Sequence, residues 1–259
     1  MTTIVCIALL LQMLFYGLVF SRLALYRSNE ENSKGEGCTL IICYRNEGRR
    51  IDETLPSILE QDFEELILID DNSSDDTNVK LNQYRSDKIR IITIDHETRG
   101  KKNALLTGIR AAKTNRILVT DADCVPASKN WTKSMGKSSK DFVLGYGPME
   151  KGGGIIGMFS RYETYMTALQ YLSYALIGVP YMGVGRNMRI DKSLIMDNAE
   201  RIKGAHLASG DDDLMVNQLA NAKNTSICIE EGSFVYSKPK STLCSFLNQK
   251  VRHISTSPY

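Results

Sequence analysis

Short apolar runs alternate with amphipathic segments along the chain between residues 39 and 121. The apolar runs predict buried strands at 39–43, 66–69, 89–94 and 117–120. Between them, apolar residues recur at helical spacing, which predicts helices at 51–60, 79–84 and 104–112. Because strands that alternate with helices pair in parallel through crossover connections, this half predicts an α/β fold with a mostly parallel central sheet flanked by helices.

The chain begins with a segment of a different kind. Residues 4–20 form a run of seventeen positions without charge, in which Gln12 is the strongly polar residue, and this length is close to the minimum that crosses a hydrocarbon core. Arg22 and Arg27 follow the run, whereas a signal peptide carries its positive charge before it. We therefore expect a transmembrane anchor at 1–27, a linker at 28–37 and, by the positive-inside tendency, a cytoplasmic domain at 38–259 held at the inner, cytoplasmic membrane.

The second half has a weaker pattern. Six glycines and one proline between residues 145 and 157 predict a loop. Residues 156–179 predict a helix that is buried or lies on a membrane surface, because Arg161 and Glu163 disfavour a membrane span. Further helices are expected at 214–220 and at 246–253, the latter with one apolar and one basic face.

Composition excludes several classes of protein. Lys plus Arg number 32 against 30 for Asp plus Glu, so the formal charge of +2 argues against a dedicated nucleic-acid binder. The six cysteines form no C-x-x-C pair and no histidine stands at metal spacing from them. Neither a zinc site nor a disulfide framework is therefore indicated, and a reducing compartment fits best.

Carboxylates follow three of the four predicted strands. Asp121 and Asp123 come directly after strand 117–120, and alternate side chains of an extended chain share a face. Glu47, Asp70 and Asp71 follow two other strands, and the carboxyl ends of parallel strands meet at one edge of a sheet. Since hard divalent cations prefer oxygen ligands, this edge predicts a cation and ligand site, whereas an isolated D-x-D would usually be a solvated turn.

Taken in order, the motifs resemble those of the family 2 inverting glycosyltransferases with a Rossmann-like GT-A fold, of the membrane-anchored bacterial type. The resemblance covers roughly residues 37–253. Its motifs are Cys43-Tyr44-Arg45-Asn46-Glu47, Asp70-Asp71-Asn72-Ser73-Ser74-Asp75, Gly100-Lys101-Lys102-Asn103-Ala104-Leu105, Asp121-Ala122-Asp123, Gly185-Arg186-Asn187-Met188, Gly210-Asp211-Asp212 and Gln249-Lys250-Val251-Arg252-His253.

The resemblance implies a role for each motif. It divides the domain into a nucleotide-binding half, 38–126, and an acceptor and catalytic-base half, 127–259. Asp123 and Asp121 would hold Mg²⁺ or Mn²⁺, and Asp212 would be the catalytic base, with Asp211 as the alternative. The implied nucleotide-binding residues are Glu47, Asp70, Asp71, Lys101 and Asp121. The residues implied for the acceptor or the diphosphate are Asn187, Gln249, Arg252 and His253.

Two positions depart from the family pattern. Cys43 stands where the family usually has proline, and His253 stands where it has tryptophan, so stacking of an acceptor sugar on an indole is not expected there. A haloacid-dehalogenase-like phosphatase would need an aspartate nucleophile at the end of the first strand, where this chain has Cys43. A calcium-binding loop at 70–76 lacks the glycine and the glutamate of that motif.

The implied function is metal-dependent transfer of a sugar from a nucleotide-sugar, UDP-linked, to a membrane-associated lipid-linked or glycan acceptor, with formation of a β-glycosidic bond. Such a reaction belongs to cell-envelope polysaccharide biosynthesis, and no nucleic-acid partner is expected. Because the sequence ends at Tyr259 without a further apolar span, single transfer is favoured over processive synthesis. The alternatives are a processive polysaccharide synthase truncated at its C-terminus and a non-catalytic paralogue that binds sugar nucleotides.

Overall fold

The computed structural model describes residues 1–28, 37–98, 100–198 and 211–254. Within these ranges a seven-stranded sheet has the order β3-β2-β1-β4-β7-β6-β8. A small two-stranded sheet, β5 with β9, lies beside it. The strands are β1 (Cys38–Tyr44), β2 (Glu65–Asp70), β3 (Ile89–Thr93), β4 (Arg116–Asp121), β5 (Cys124–Pro126), β6 (Phe142–Gly145), β7 (Met188–Asp191), β8 (Thr225–Cys228) and β9 (Val235–Ser237).

The first four strands form the parallel half that the sequence predicts. β1 pairs in parallel with both β2 and β4, and β2 pairs in parallel with β3. The connecting helices are α3 (Gly48–Leu59), α4 (Thr77–Asn82) and α5 (Lys101–Ala111). Every residue of β2 is buried, as expected for a strand that is covered on both faces. The predicted α/β class and the mostly parallel sheet are confirmed.

The other half of the sheet is mixed. β7 runs antiparallel to β4 and to β6, whereas β8 pairs in parallel with β6. β6, β7 and β8 have four residues each, too short for a period in the sequence to indicate them. The region predicted as a loop at 145–157 is a loop from 146 to 153, whereas Gly145 ends β6 and residues 154–157 begin helix 154–176.

The remaining helices of the domain lie in this second half. They are α6 (Trp131–Met135), α7 (Gly154–Leu176), α8 (Lys192–Asp197), α9 (Asp211–Leu219) and α10 (Leu243–Ile254). Gly152, Gly153 and Gly154 have φ values of 137°, 71° and 59°, a left-handed backbone that only glycine adopts at little cost. This glycine turn leads the chain into α7.

Two apolar clusters fill the two faces of the sheet. One contains Ile109 of α5 and Leu172 of α7 packed on Ile41 and Val119. The other contains Leu55 of α3 and Trp131 of α6 packed on Leu118. Successive residues of each strand point alternately into the two clusters. The sheet is therefore packed on both faces, which holds the ends of its strands in fixed positions.

The N-terminal segment is helical from Thr2 to Ala24. It comprises α1 (Thr2–Phe15), a π-helical turn (Tyr16–Phe20) and α2 (Ser21–Ala24). The structure describes one helix that is long and apolar enough to cross a membrane, Thr2–Ala24. Its most apolar window has a mean hydropathy of 2.3. Its final part is docked on the domain: Val19 is buried, and the hydroxyl of Tyr26 donates to the Ile227 carbonyl at 3.1 Å. Most of the predicted linker, 29–36, lies outside the described residues.

Candidate active site

The carboxyl ends of β1, β2 and β4 meet at one edge of the sheet. Tyr44 of β1 lies opposite Asp70 of β2, and Cys43 of β1 lies opposite Asp121 of β4. The backbone N–H of Asp71 donates to the Tyr44 carbonyl at 2.8 Å. The predicted convergence of these strand-end carboxylates on a single edge is therefore found in the structure.

Asp70 and Asp71 are both buried and both bind the protein's own polar groups. Asp70 accepts from the Ser73 backbone N–H at 3.1 Å and from the Asn78 amide at 3.0 Å. Asp71 accepts from the backbone N–H of Gly100 at 2.6 Å, while Arg45 lies 3.7 Å from its other oxygen. Asp71 thus ties the end of β2 to the start of α5, where Lys101 begins the helix.

Asp75, the last acidic residue of its motif, has a structural task. Its carboxylate accepts from the backbone N–H of Gly48 at 3.2 Å and of Thr77 at 3.0 Å, which are the first residues of α3 and α4. Partial burial acts to raise the pKa of Asp75, but the hydrogen bonds from Thr77 and Gly48 outweigh it and lower the pKa. The motif therefore fixes two helix starts beside the site.

Lys101 and Asp121 form an ion pair at the centre of the edge. The ammonium Nζ lies 2.6 Å from Oδ1 of Asp121. Burial acts to raise the pKa of Asp121, but the charge and hydrogen bond of Lys101, together with the charge of Arg186, lower it overall. Asp121 is therefore ionised at neutral pH and has a cation beside it.

Asp123 does not lie in an extended strand as expected. β4 ends at Asp121, and the chain turns through Ala122 and Asp123 before β5 begins at Cys124. The turn nevertheless keeps the carboxylates together, because ligand atoms of Asp121, Asp123 and Cys124 all lie within 4.8 Å of one another. The convergence expected of the D-x-D pair is present, but a turn produces it instead of strand alternation.

The donor set of this cluster fits a hard divalent cation. Burial, followed by the charges of Asp121 and Asp123, raises the pKa of the Cys124 thiol well above its ordinary value, so the sulfur is protonated and is a poor ligand. The remaining donors are carboxylate oxygens, which Mg²⁺ and Mn²⁺ prefer. Soft-metal binding through Cys124 is correspondingly disfavoured.

Arg50 is a site residue that the motifs did not identify. Its guanidinium lies 3.0 Å from Glu47 and 3.6 Å from Asp123. Burial and the charge of Asp123 raise the pKa of Glu47, partly opposed by the charge of Arg50. The sequence did carry a signal, because Arg50 follows Glu47 by three residues immediately before the predicted helix 51–60, and at helical spacing it lies beside Glu47.

A cavity of about 390 Å³ opens beside Asp123. Its basic side chains are Arg50, Lys238 and Lys240, and Lys238 pairs with Glu53 at 2.6 Å. Pairing of β5 with β9 brings Lys238 and Lys240, which follow β9, to the cavity. Neither lysine has a signal in the sequence, because a three-residue strand gives no periodicity that would place it.

Arg186 extends from the start of β7 toward the same region. Its guanidinium donates to the Ser237 hydroxyl at 3.0 Å, and its carbonyl accepts from Thr120 Oγ1 at 2.8 Å. Since β7 is antiparallel, its first residues lie near the last residues of β4. This geometry gives Arg186 its electrostatic influence on Asp121.

Asn187, expected at the acceptor or the diphosphate, is completely buried. Its Oδ1 accepts from the indole N–H of Trp131 at 2.9 Å. Its amide nitrogen donates to the carbonyls of Tyr146 and Ser233, both at 2.8 Å. The structure therefore places Asn187 inside the domain as a clamp between three segments and not on the wall of the cavity.

The other predicted acceptor-side residues lie on α9 and α10. Gln249 lines a small cavity of about 80 Å³ between α7 and α10, together with Arg186 and Tyr146. Lys250 forms an ion pair with Glu163 of α7. The side chains of Arg252 and His253 lie outside the described residues. So do those of Asp211 and Asp212, although the backbone at these two positions forms the first turn of α9.

Comparison with known proteins finds a family match over part of the chain. Residues 39–163, slightly less than half of the chain, match the family model described as glycosyl transferase family 2. Poly-beta-1,6-N-acetyl-D-glucosamine synthase of Staphylococcus aureus (strain COL) is 35% identical over 92 residues, which are 35% of this chain and 22% of that protein. The synthase of Staphylococcus epidermidis is 32% identical over 109 residues, 41% of this chain and 26% of that protein. The matched segment is thus about a quarter of these relatives or less.

Solved structures share the fold over a longer stretch. The mannosyltransferase PcManGT from Pyrobaculum calidifontis, in complex with GDP-Man and Mn²⁺, superposes with a TM-score of 0.67 at 17% identity, over 96% of this chain and 72% of that chain. S. aureus TarS 1–349 in complex with UDP-GlcNAc superposes with a TM-score of 0.59 at 18% identity, over 80% of this chain and 60% of that one. The GT-A fold and the resemblance to family 2 are confirmed.

Proposed function

We propose that this chain, which carries a family 2 glycosyltransferase domain at residues 39–163, is an inverting glycosyltransferase. It would move a sugar from a nucleotide-sugar to a membrane-associated lipid-linked or glycan acceptor and form a β-glycosidic bond. The observation that carries the proposal is the group of carboxylates at the ends of β1, β2 and β4. Asp121 and Asp123 lie close together there, Asp123 lines a cavity with Arg50, Lys238 and Lys240, and Lys101 is paired with Asp121.

A nucleotide-sugar fits the charges of this edge. Asp70 and Asp71 lie at the end of β2, where a carboxylate accepts from a nucleobase N–H. Lys101, Arg50 and Lys240 supply positive charge for a diphosphate. Neighbours of the same fold hold UDP-GlcNAc and GDP-Man, which supports the donor class. We take UDP-GlcNAc as the first donor to test.

Asp123 and Asp121 would hold Mg²⁺ or Mn²⁺, in agreement with the oxygen donors found there. The cation, when bound, neutralises charge on the diphosphate as it departs. Lys101 of α5 would also neutralise charge on the diphosphate. Its ammonium lies 2.6 Å from Asp121 and is therefore close to a diphosphate held at that carboxylate. Arg186 and Lys240 add further positive charge around the leaving group.

Inversion at the anomeric carbon requires a base on the opposite side of the sugar. Asp212 is the proposed base and Asp211 the alternative, on the strength of their motif at the first turn of α9. Such a base removes the proton of the attacking acceptor hydroxyl as the bond to the diphosphate breaks. General-base assistance contributes ~10²- to 10⁴-fold in rate.

The N-terminal helix supports a membrane-associated acceptor. With the N-terminal part of Thr2–Ala24 in the inner membrane, Arg22 and Arg27 would lie on the cytoplasmic side, with the catalytic domain. A second candidate is processive synthesis of a polysaccharide, favoured by the similarity to the staphylococcal synthases. Product length separates the two, since single transfer adds one sugar to each acceptor.

The experiment measures metal binding and transfer separately. Mn²⁺ binding is followed by electron paramagnetic resonance, and transfer by incorporation of radiolabelled GlcNAc from UDP-GlcNAc into the lipid fraction of bacterial membranes. Asp123→Asn should weaken Mn²⁺ binding strongly and abolish transfer. Asp212→Asn should keep Mn²⁺ and donor binding but lose transfer by ~10²-fold or more. Asp76→Asn, at an exposed carboxylate before α4, is the matched control and should change neither.

The variants also decide between the alternatives. Full turnover in Asp212→Asn together with loss in Asp211→Asn would move the base to Asp211. A thermal-shift screen of UDP-, GDP- and TDP-sugars identifies the donor that binds. If that donor is neither hydrolysed nor used for transfer, the result would support the non-catalytic paralogue. Unchanged Mn²⁺ affinity in Asp123→Asn would contradict the proposed metal site.

A further inference from the structure

Helix α7 exposes an apolar stripe on the outside of the domain. Ile155, Met158, Phe159, Tyr162 and Tyr165 have exposed fractions of 80%, 59%, 55%, 60% and 53%. Their spacing of three and four residues places them on one face of the helix. Single exposed apolar side chains are ordinary on protein surfaces, but a contiguous stripe of this length marks a surface with a partner.

Helix α10 extends the stripe. Leu243, Leu247 and Val251 follow one another at intervals of four and are 57%, 50% and 67% exposed. The two helices are held together, because the rings of Phe159 and Phe246 lie edge to face at 5.5 Å. The α7–α10 surface is defined here as Ile155, Met158, Phe159, Tyr162, Tyr165, Leu243, Leu247 and Val251.

The charge of α10 and of the segment before it favours an anionic partner. Residues 238–254 contain four basic residues, Lys238, Lys240, Lys250 and Arg252, and no aspartate or glutamate. Glu53 pairs with Lys238 from outside this segment, so part of the surplus is already balanced. On α7, Glu163 is neutralised by its ion pair with Lys250. A helix with exposed apolar residues and a surplus of Lys and Arg is the pattern of segments that lie at the surface of anionic membranes.

The same helix α7 already contacts the membrane anchor at its other end. Phe15 and Tyr174 have ring centroids 6.4 Å apart, and Tyr174 packs on Tyr181 at 5.3 Å. Tyr16 and Phe20 stack beside them at 5.1 Å. Clustered aromatic side chains are typical of the boundary between membrane and water. This boundary would therefore lie at the C-terminal end of α7, with the exposed stripe on the rest of that helix.

We propose that the α7–α10 surface rests on the lipid bilayer as a second membrane contact, in addition to the N-terminal helix. The apolar residues enter the region between headgroups and acyl chains, and the net positive charge of residues 238–254 favours anionic headgroups. The contact also orients the domain. The small cavity between α7 and α10, lined by Gln249 and Glu163, then lies next to the lipid, where a lipid-linked acceptor would arrive; this last consequence rests on the proposed function.

The test uses the full chain in vesicles of phosphatidylcholine and phosphatidylglycerol whose acyl chains carry bromine, a short-range quencher of tryptophan fluorescence. The native chain has one tryptophan, Trp131, which is completely buried and gives a constant background. Tyr162→Trp and Leu247→Trp place reporters on the two helices. Val79→Trp is the matched control, because Val79 is also apolar and 66% exposed but lies on α4, by the opposite edge of the sheet.

The proposal requires that brominated lipid quenches most of the added fluorescence of Tyr162→Trp and Leu247→Trp but not that of Val79→Trp. Phe159→Glu, introduced into the Tyr162→Trp chain, should reduce this quenching while the thermal midpoint stays within a few degrees. Quenching no greater than in Val79→Trp overturns the proposal. So does protection of both reporters from brominated lipid and from aqueous acrylamide alike, since another protein surface would then cover them. Sugar transfer is not a readout, so failure of the proposed function leaves the result interpretable.

Discussion

Replacing Asn187 by leucine removes the polar clamp between β7, α6 and the loops at Tyr146 and Ser233. The amide makes three buried hydrogen bonds, at 2.9, 2.8 and 2.8 Å, and leucine has the same branching and the same number of side-chain heavy atoms but no polar group. The indole N–H of Trp131 and the Ser233 carbonyl then lose their partner, and the Tyr146 carbonyl keeps only the long bond from the Val235 N–H at 3.4 Å. With about 1–2 kcal/mol for each buried group that is left unpaired, the loss of stability is about 4 kcal/mol.

The assay is thermal unfolding of the purified chain in detergent. For a domain of this size, about 4 kcal/mol corresponds to a fall of about 8–16 °C in the midpoint. Asn82→Leu is the matched control, because Asn82 is an exposed asparagine of α4, and it should change stability by less than about 0.5 kcal/mol. In a Trp131→Phe background, Asn187→Leu should cost less, since the indole N–H that Asn187 satisfies is already gone.

A separate variant perturbs the clamp from the other side. A methyl group at Gly145 would be forced against the Asn187 amide, so Gly145→Ala should also destabilise the domain, by about 1–3 kcal/mol. If Asn187→Leu keeps the wild-type midpoint but raises the KM for the acceptor, the reasoning is refuted, and Asn187 contacts the acceptor as its motif implied.

Two further predictions concern pH and thiol reactivity. Burial acts to raise the pKa of Glu230, but hydrogen bonds from Lys137, Ser28 and Ser134 outweigh it and lower this pKa. The stability that the ionised Glu230 contributes is therefore fully present above the ordinary glutamate pKa. It is lost as the pH falls through the lowered pKa of the folded protein. Glu230→Gln should therefore be less stable than wild type at pH 7 and equal to it near pH 2 in urea unfolding; a constant difference would contradict this. Iodoacetamide at pH 7.5 should alkylate exposed Cys244 and spare Cys124, whose thiol has a raised pKa, and equal labelling by peptide mass spectrometry would show that Cys124 is accessible.

The first half of the fold could be predicted from the sequence because β1, β2 and β4 are long and buried on both faces. Predicted strand 66–69 is β2 (Glu65–Asp70), and predicted strand 117–120 is β4 (Arg116–Asp121). The order of strand, helix and strand then determined the shared edge, and with it the positions of Asp70 and Asp121. Local pattern and topology agreed, so little tertiary information was needed.

The remainder of the site depends on pairings that no local pattern encodes. Lys238 and Lys240 reach the cavity through the three-residue pairing of β5 with β9, which has no signal above that of a loop. Asn187 belongs to a motif, but its burial follows from Trp131, which lies 56 residues earlier in the chain. Asp123 reaches Asp121 through a turn, since the chain leaves the sheet at Ala122. In each case a distant partner decides the position of the residue.

The antiparallel β7 has a consequence for how the chain is made. Strands β1 to β4 can pair as soon as residue 121 has been synthesised, but β4 then lies at an open edge until Met188–Asp191 arrive to cover it. An apolar strand that waits unpaired is a template for association between nascent chains. The N-terminal helix precedes all of these strands, so insertion of Thr2–Ala24 into a membrane during synthesis would keep neighbouring chains apart through this interval. Biogenesis at the membrane would thus protect the lateral side of β4, the strand that ends at Asp121.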